Sequence, residues 1–257
     1  MIRKIITIVA IALSLSIVNP AYADPADIAA ASRSVVRVVL AAKDGNKVAF
    51  VGHGSGFVVA PDKIVTNAHV VQGREQVVLK GFDRGFIKAA VVQRDTARDL
   101  AQLQIDGSVT GLEPAVDAAV TETVFAIGAP LGHEFTVTSG IVSGLDVRLQ
   151  PTVPVGLIRH DAAINPGSSG GVLVNAHGAV LGMNSQIADG SRLFAGIAYA
   201  IPVGVVVDWL RGDLRPVPKF GFQGRAVTPR IAAALGVEAG QGVLIDAVDA
   251  GGWAAEN

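Results

Sequence analysis

The chain has 257 residues, half of them hydrophobic, a formal net charge of −1 and no cysteine. That near balance gives no extended field for nucleic acid or an acidic membrane, and the missing thiols exclude a disulfide framework and thiolate metal ligands. A hydrophobic core must therefore hold the chain together, and the length suffices for one large or two small packed units.

At the N-terminus, Arg3 and Lys4 precede an uncharged run from Ile5 to Val18, then Pro20 and the small-residue pattern Ala21-Tyr22-Ala23. This reads as a secretory signal peptide cut after Ala23, so the mature chain is expected to be exported, periplasmic or secreted. The run is shorter than the roughly 20 apolar residues that span a bilayer, so no stable membrane anchor is expected. From Val35 to about Ile201 the pattern is of short β-branched runs separated by glycine and polar turns. "VVRVVLA", "KVAFVGHG", "SGFVVA", "KIVTNA", "EQVVLKG", "FIKAAVVQRD" and "LAQLQID" form a first set of strands. After a connection from Leu112 to Val120, a second set follows in "TVFAIG", "FTVTSGIVSGL", "GLIRHDA", "GGVLVNAHGAVLGMNS" and "LFAGIAYAIP". Two such sets, of about six strands each, fit an all-β fold of two small antiparallel barrels or sandwiches packed together. "VGVVVDWLRGDL" is the best helix, with Pro202 at its start and Val205, Val206, Trp209 and Leu210 on one side, expected across the back of the second barrel.

"INPGSSGG", Ile164 to Gly171, places two serines between glycine pairs. The same composition builds ordinary turns, but a backbone with few Cβ atoms can also aim N–H groups at one point and bind a developing oxyanion. A nucleophile would then require a base and an orienting acid. Of the five histidines, His177 and His133 fall in turns, His160 sits mid-strand where a structural hydrogen bond is the expected role, and His53 occupies a glycine-rich bend. His69 ends an apolar strand in "KIVTNAHVV", where an imidazole would be fixed and partly buried. Among Asp95, Asp99 and Asp106, Asp99 opens an apolar strand, although a solvated loop aspartate beside Arg94 and Arg98 remains an alternative.

"GSGFVVAPDKIVTNAHVV", "RDLAQLQI" and "DAAINPGSSGGVLVN", in that order, resemble trypsin-like serine proteases of the high-temperature-requirement (HtrA/Deg) family over about Ser34 to Trp209. The resemblance implies a serine endopeptidase with His69 as general base, Asp99 as its orienting partner and Ser169 as nucleophile, with Gly167 and Ser169 as oxyanion donors. It implies two antiparallel six-stranded barrels, one over about 34–110 and one over about 118–203, with a cleft between them, unfolded or peptide proteins as substrates, and no cofactor or metal. Ser168 departs from the Asn usual in the family. The residue six before the nucleophile, which sets specificity in trypsin-like folds, is Ala163. With Ala198, Tyr199 and Ala200 as the expected pocket wall, cleavage after small or medium aliphatic residues is predicted. "Gly-Ser-Ser-Gly-Gly" lacks the Gly-X-Ser-X-Gly elbow of an α/β-hydrolase esterase. A catalytically silent chaperone or peptide-binding protein on the same fold is the alternative.

After a linker over 211–219, residues 220–257 resemble the first half of a PDZ domain, and Gly221, Phe222, Gln223 and Gly224 are its expected peptide-binding loop. So short a piece buries little core, which predicts instability or docking on the protease. Relatives form trimers through aromatic residues near the mature N-terminus; "DPADIAAASRSVV" has none, which weakens but does not remove the expectation of a homotrimer. The first long hairpin, "AAKDGNKVAF", is short for a cage assembly.

Overall fold

A computed structural model describes residues 23–44, 47–81, 85–114, 117–133, 135–149, 155–187, 194–217, 221–238, 242–248 and 253–256. The expected signal peptide lies outside them apart from Ala23. A short helix the sequence reading did not anticipate, α1 (Pro25–Arg33), begins the described chain. The Asp24 carboxylate caps it by accepting from Ala26 N, and Pro25 takes the first turn, where no N–H is needed.

Six strands then close the first barrel: β1 (Val35–Asp44), β2 (Lys47–Ala60), β3 (Lys63–Thr66), β4 (Gln76–Gly81), β5 (Phe86–Asp95) and β6 (Leu100–Ile105), ordered β1-β2-β3-β6-β5-β4. Six more close the second: β7 (Thr123–Gly128), β8 (Thr136–Val147), β9 (Leu157–His160), β10 (Val172–Asn175), β11 (Val180–Ile187) and β12 (Ala198–Pro202), ordered β10-β11-β12-β9-β8-β7. All pairs are antiparallel. The predicted double barrel is thus the observed fold. "KVAFVGHG" and "SGFVVA", read as two strands, are one: β2 runs through the glycines, and its ladder with β1 steps from Gly52 to Phe50, leaving Val51 as a bulge.

Alternation along the strands sorts side chains into three cores. Val38, Val58, Ile64, Leu79 and Leu103 fill barrel 1, and Val124, Val142, Ile158, Leu173, Leu181 and Ala200 fill barrel 2. The third core joins the barrels: Phe57, Val65 and Leu100 meet Ile127, Val172, Met183 and Ile201, with Ile28 of α1 and Trp209 of α2 (Val203–Arg211) sealing it. Helix α2 packs on β11 and β12 as expected, burying Val203, Val206 and Trp209, and ends at Gly212 in the left-handed conformation.

Beyond it, β13 (Phe222–Ala226) pairs with β14 (Val243–Val248) around α3 (Pro229–Leu235), and α4 (Trp253–Glu256) follows. The expected loop Gly221–Gly224 is corrected here: Phe222, Gln223 and Gly224 belong to β13 and pair with β14 through a bulge between Gln223 and Gly224. Only Gly221, with φ 72°, stands before the strand.

Candidate active site

Strand β3 ends at Thr66, and Asn67 to Val70 turn away from the barrel, leaving His69 at the rim with 49% of its side chain exposed. The ring is thus half buried, between buried Ala68 and Val70, with its outer half turned to solvent. Asp99 closes the turn between β5 and β6 with φ 60°, a left-handed conformation that Asp tolerates better than most residues. This conformation directs its backbone and carboxylate together at the His69 turn. The Asp99 carbonyl accepts from Ala68 N and Asn67 Nδ2, Oδ1 accepts from the His69 backbone N–H at 3.0 Å, and His69 Nδ1 lies 2.9 Å from both carboxylate oxygens. A carboxylate so placed fixes the proton on Nδ1 and leaves Nε2 as the acceptor.

The loop between β9 and β10 brings Ser169 to the same cleft. Its two glycines with positive φ are required by their surroundings. A Cβ on Gly167 (φ 102°) would fall 2.4 Å from His53 Nε2 and 2.5 Å from the Ala129 carbonyl, and one on Gly170 (φ 83°) would fall 2.1 Å from the Ser55 carbonyl. Ser168 points inward and is buried, its Oγ accepting from Asn165 N and its N–H donating to Asn165 O. Gly170 and Gly171 N–H donate to Asn184 and Ser168 carbonyls. Among the described residues, no hydrogen bond uses the Gly167 or Ser169 N–H. The Ser169 hydroxyl donates to the Ser185 carbonyl at 2.9 Å, and among the described residues no hydrogen bond joins it to His69.

Three residues that sequence reasoning missed organise this geometry. Ser55, fully buried in β2, donates from Oγ to Gly167 O at 2.6 Å, accepts from Ala129 N, and donates its own N–H to Ser169 O at 2.8 Å. Barrel 1 thereby moors a loop belonging to barrel 2. Ser185 donates to Asp99 Oδ2 at 2.9 Å while its carbonyl receives Ser169. It occupies the bulge where the β11–β12 ladder steps from Asn184 to Gln186, which re-aims its side chain at the cleft. Asn184, fully buried, accepts from Gly170 N, donates its N–H to Gly171 O and its Nδ2 to Val172 O. The "GSG" of residues 54–56 and the serine at 185 were the available signals; neither is distinguishable from turn chemistry by composition.

The cleft has a volume of about 790 Å³. Thr96 to Asp99 and His69 line one side; Leu149, Val155, Leu157, Ile164, Ile187 and Ile201 make the other largely aliphatic. The expected wall is corrected: Ala163, Ala198, Tyr199 and Ala200 do not line it. Alternation along β12 turns Ala198 and Ala200 into the barrel 2 core and Ile201 toward the cleft, and Ile164 rather than Ala163 faces it.

Two other histidines lie close by. Burial and the Arg37 guanidinium push His53 below its ordinary value, against the nearby Ala129 carbonyl. Burial pushes His160 down to about 4, opposed by the Asn184 side chain, the Asp161 carboxylate and the Ala162 backbone. Asn184 and Ala162 sit beside the ring, yet among the described residues neither His160 nitrogen meets a partner in full hydrogen-bond geometry. Among the described residues no cluster of His, Asp or Glu could hold a metal ion.

Residues 54–183 match the trypsin-like peptidase domain. The chain belongs to the trypsin-like peptidases, of the HtrA/Deg type. It is 39% identical over 213 residues to a probable periplasmic serine endoprotease DegP-like of Halomonas elongata, an overlap of 79% of this chain and 45% of that one. A protein of the same description from Hahella chejuensis is 43% identical over 159 residues, 60% of this chain and 34% of the relative. The chain therefore spans less than half the length of the curated relatives it matches. A solved HtrA-type protease, AlgW with decapeptide, superposes with a TM-score of 0.66 at 26% identity, covering 90% of this chain and 80% of that one. Within the HtrA type, the serine loop, the Asp99 turn and the His69 turn described above fall inside the matched region.

Proposed function

We propose that this chain is an exported, periplasmic serine endopeptidase acting on unfolded or misfolded proteins through a Ser169-His69-Asp99 triad. The observation that carries the reading is the Asp99 carboxylate grasping both the Nδ1 and the backbone N–H of His69 in the cleft where Ser169 stands. On attack, the Ser169 hydroxyl leaves the Ser185 carbonyl, its oxygen bonds the scissile carbonyl carbon, and its proton passes to His69 Nε2. The N–H groups of Gly167 and Ser169, which no hydrogen bond uses among the described residues, receive the oxyanion. The imidazolium, stabilised by Asp99, returns the proton to the leaving amine. Water then takes the part of the hydroxyl and releases the acyl half. The aliphatic cleft, where among the described lining residues the one carboxylate is that of Asp99, supports cleavage after small or medium aliphatic residues. The β13 edge not paired with β14 is the proposed place for a peptide to add as a strand, ahead of Gly221 and Phe222.

A non-cleaving, peptide-holding role has one observation in its favour: the Ser169 hydroxyl is engaged by Ser185 rather than by His69. Labelling with a fluorophosphonate probe separates the two. The peptidase reading expects labelling that Ser169→Ala abolishes and Ser168→Ala retains; a folded protein that never labels supports the holding role. A peptide library read for the residue before the cut tests the pocket, and preferential cleavage after Arg would reject it.

A further inference from the structure

His160 is among the largest fully buried side chains, and the chemistry above makes no use of it. Its ladder partners are apolar, Val142 on β8 and Ala198 on β12. The polar groups facing it are the Asn184 carboxamide from β11 and, after β9, the Ala162 backbone and the Asp161 carboxylate, the one charge among them. Asp161 is itself engaged, accepting from Ile141 N. Among the described residues, three buried polar atoms in this region meet no partner in full hydrogen-bond geometry: His160 Nδ1, His160 Nε2 and Asn184 Oδ1. An acceptor and a ring that carries one N–H are complementary, and each left alone in a dry core is costly.

Asn184 is a sensitive place for such a contact. Its remaining polar groups hold Gly170, Gly171 and Val172, directly after Ser169. The next residue, Ser185, bonds both Ser169 and Asp99. A carboxamide rotated in its pocket would present Oδ1 instead of Nδ2 to the Val172 carbonyl and break that contact, beside the two glycine contacts that the Asn184 backbone makes.

We propose that His160 is a positioning residue for the peptidase: its neutral imidazole donates to Asn184 Oδ1 and fixes the carboxamide that holds the Val172 carbonyl, three residues after Ser169, and with it the residue whose backbone holds Gly170 and Gly171. This rests on the peptidase reading for its effect on rate, but the contact itself is independent of turnover. The low proton affinity that burial gives the ring keeps it in the neutral, single-donor form. The protonated ring would have a second N–H to satisfy in an apolar shell.

The experiment measures kcat, KM and fluorophosphonate labelling rate for wild type, His160→Leu, His160→Gln, Asn184→Leu and the double leucine variant. Leucine removes the donor at similar size and glutamine restores one. The expected result is a labelling rate and kcat lowered roughly tenfold in His160→Leu. KM should stay within about twofold, His160→Gln should recover most of the loss, and His160→Leu should add nothing once Asn184 is leucine. Equal losses in the leucine and glutamine variants, or full additivity, would overturn it. Should the leucine variants not fold, nitrogen-15 NMR of wild type decides: one fixed neutral tautomer with a slowly exchanging ring proton is expected, and a ring that exchanges freely or mixes tautomers overturns the contact. If wild type never labels, the peptidase reading fails while the NMR result still judges the His160 contact.

Discussion

The two halves of the candidate site are built in opposite ways. His69 and Asp99 stand at the rim of barrel 1, with 49% and 28% of their side chains exposed, tied mainly to each other. The Ser169 loop is threaded into the interior, with Ser55, Ser168 and Asn184 buried and holding it. Rim groups bear charge and exchange protons, which burial would oppose. The loop must instead hold two backbone N–H groups toward one point, which needs rigid surroundings. Changes at the rim should therefore alter rate with little effect on stability, and changes beneath the loop should alter both.

The largest effect expected is from Ser169→Ala, a loss of about 10⁶ in kcat for peptide hydrolysis with an almost unchanged melting temperature. Asp99→Asn should follow at about 10⁴. Its urea midpoint should stay near wild type, and a large fall would show that the rim pair is structural. Ser55→Ala tests the other half. It strands Gly167 O and Ala129 N in the interior, so about 1–3 kcal/mol of stability should be lost per group, together with oxyanion binding. Reduced turnover without a lower urea midpoint would break the comparison.

The acid side offers a subtler test. His160 titrates at about 4 in the fold against 6.5 ordinarily, so between those values the unfolded chain binds a proton that the folded chain does not. Its contribution is present above 6.5 and is lost as pH falls toward 4, up to about 3 kcal/mol. Urea unfolding followed from pH 7 to 4.5 should show this slope, and His160→Gln should flatten it. His53 is shifted in the same direction, by burial and Arg37. The smallest effect is expected from Ser185→Ala. Asp99 Oδ2 keeps its contact with His69, so kcat should fall only severalfold.

What the sequence disclosed follows the same division. His69, Asp99 and Ser169 were reached through ordered motifs and the family they resemble, while alternation with turn spacing allowed two antiparallel barrels or sandwiches and the resemblance chose the barrels. Ser55 and Ser185 escaped because a serine near glycine looks like a turn residue until its partners, distant in sequence, are in place. The pocket wall was misassigned because alternation along β12 turns Ala198 and Ala200 into the barrel 2 core, and which face of a strand meets the cleft leaves no mark in composition. Helix α1 carried a capping aspartate and a leading proline, but its few buried positions give only a weak apolar face.

Ser55 also bears on how the molecule comes apart. It is a residue of the first barrel whose hydroxyl and N–H both hold the Ser169 loop, so the two barrels cannot lose their order one at a time without dismantling the candidate site. Calorimetry of the peptidase region should give a single transition whose midpoint coincides with thermal inactivation. Separately produced barrels should recover esterase activity only after reassociation.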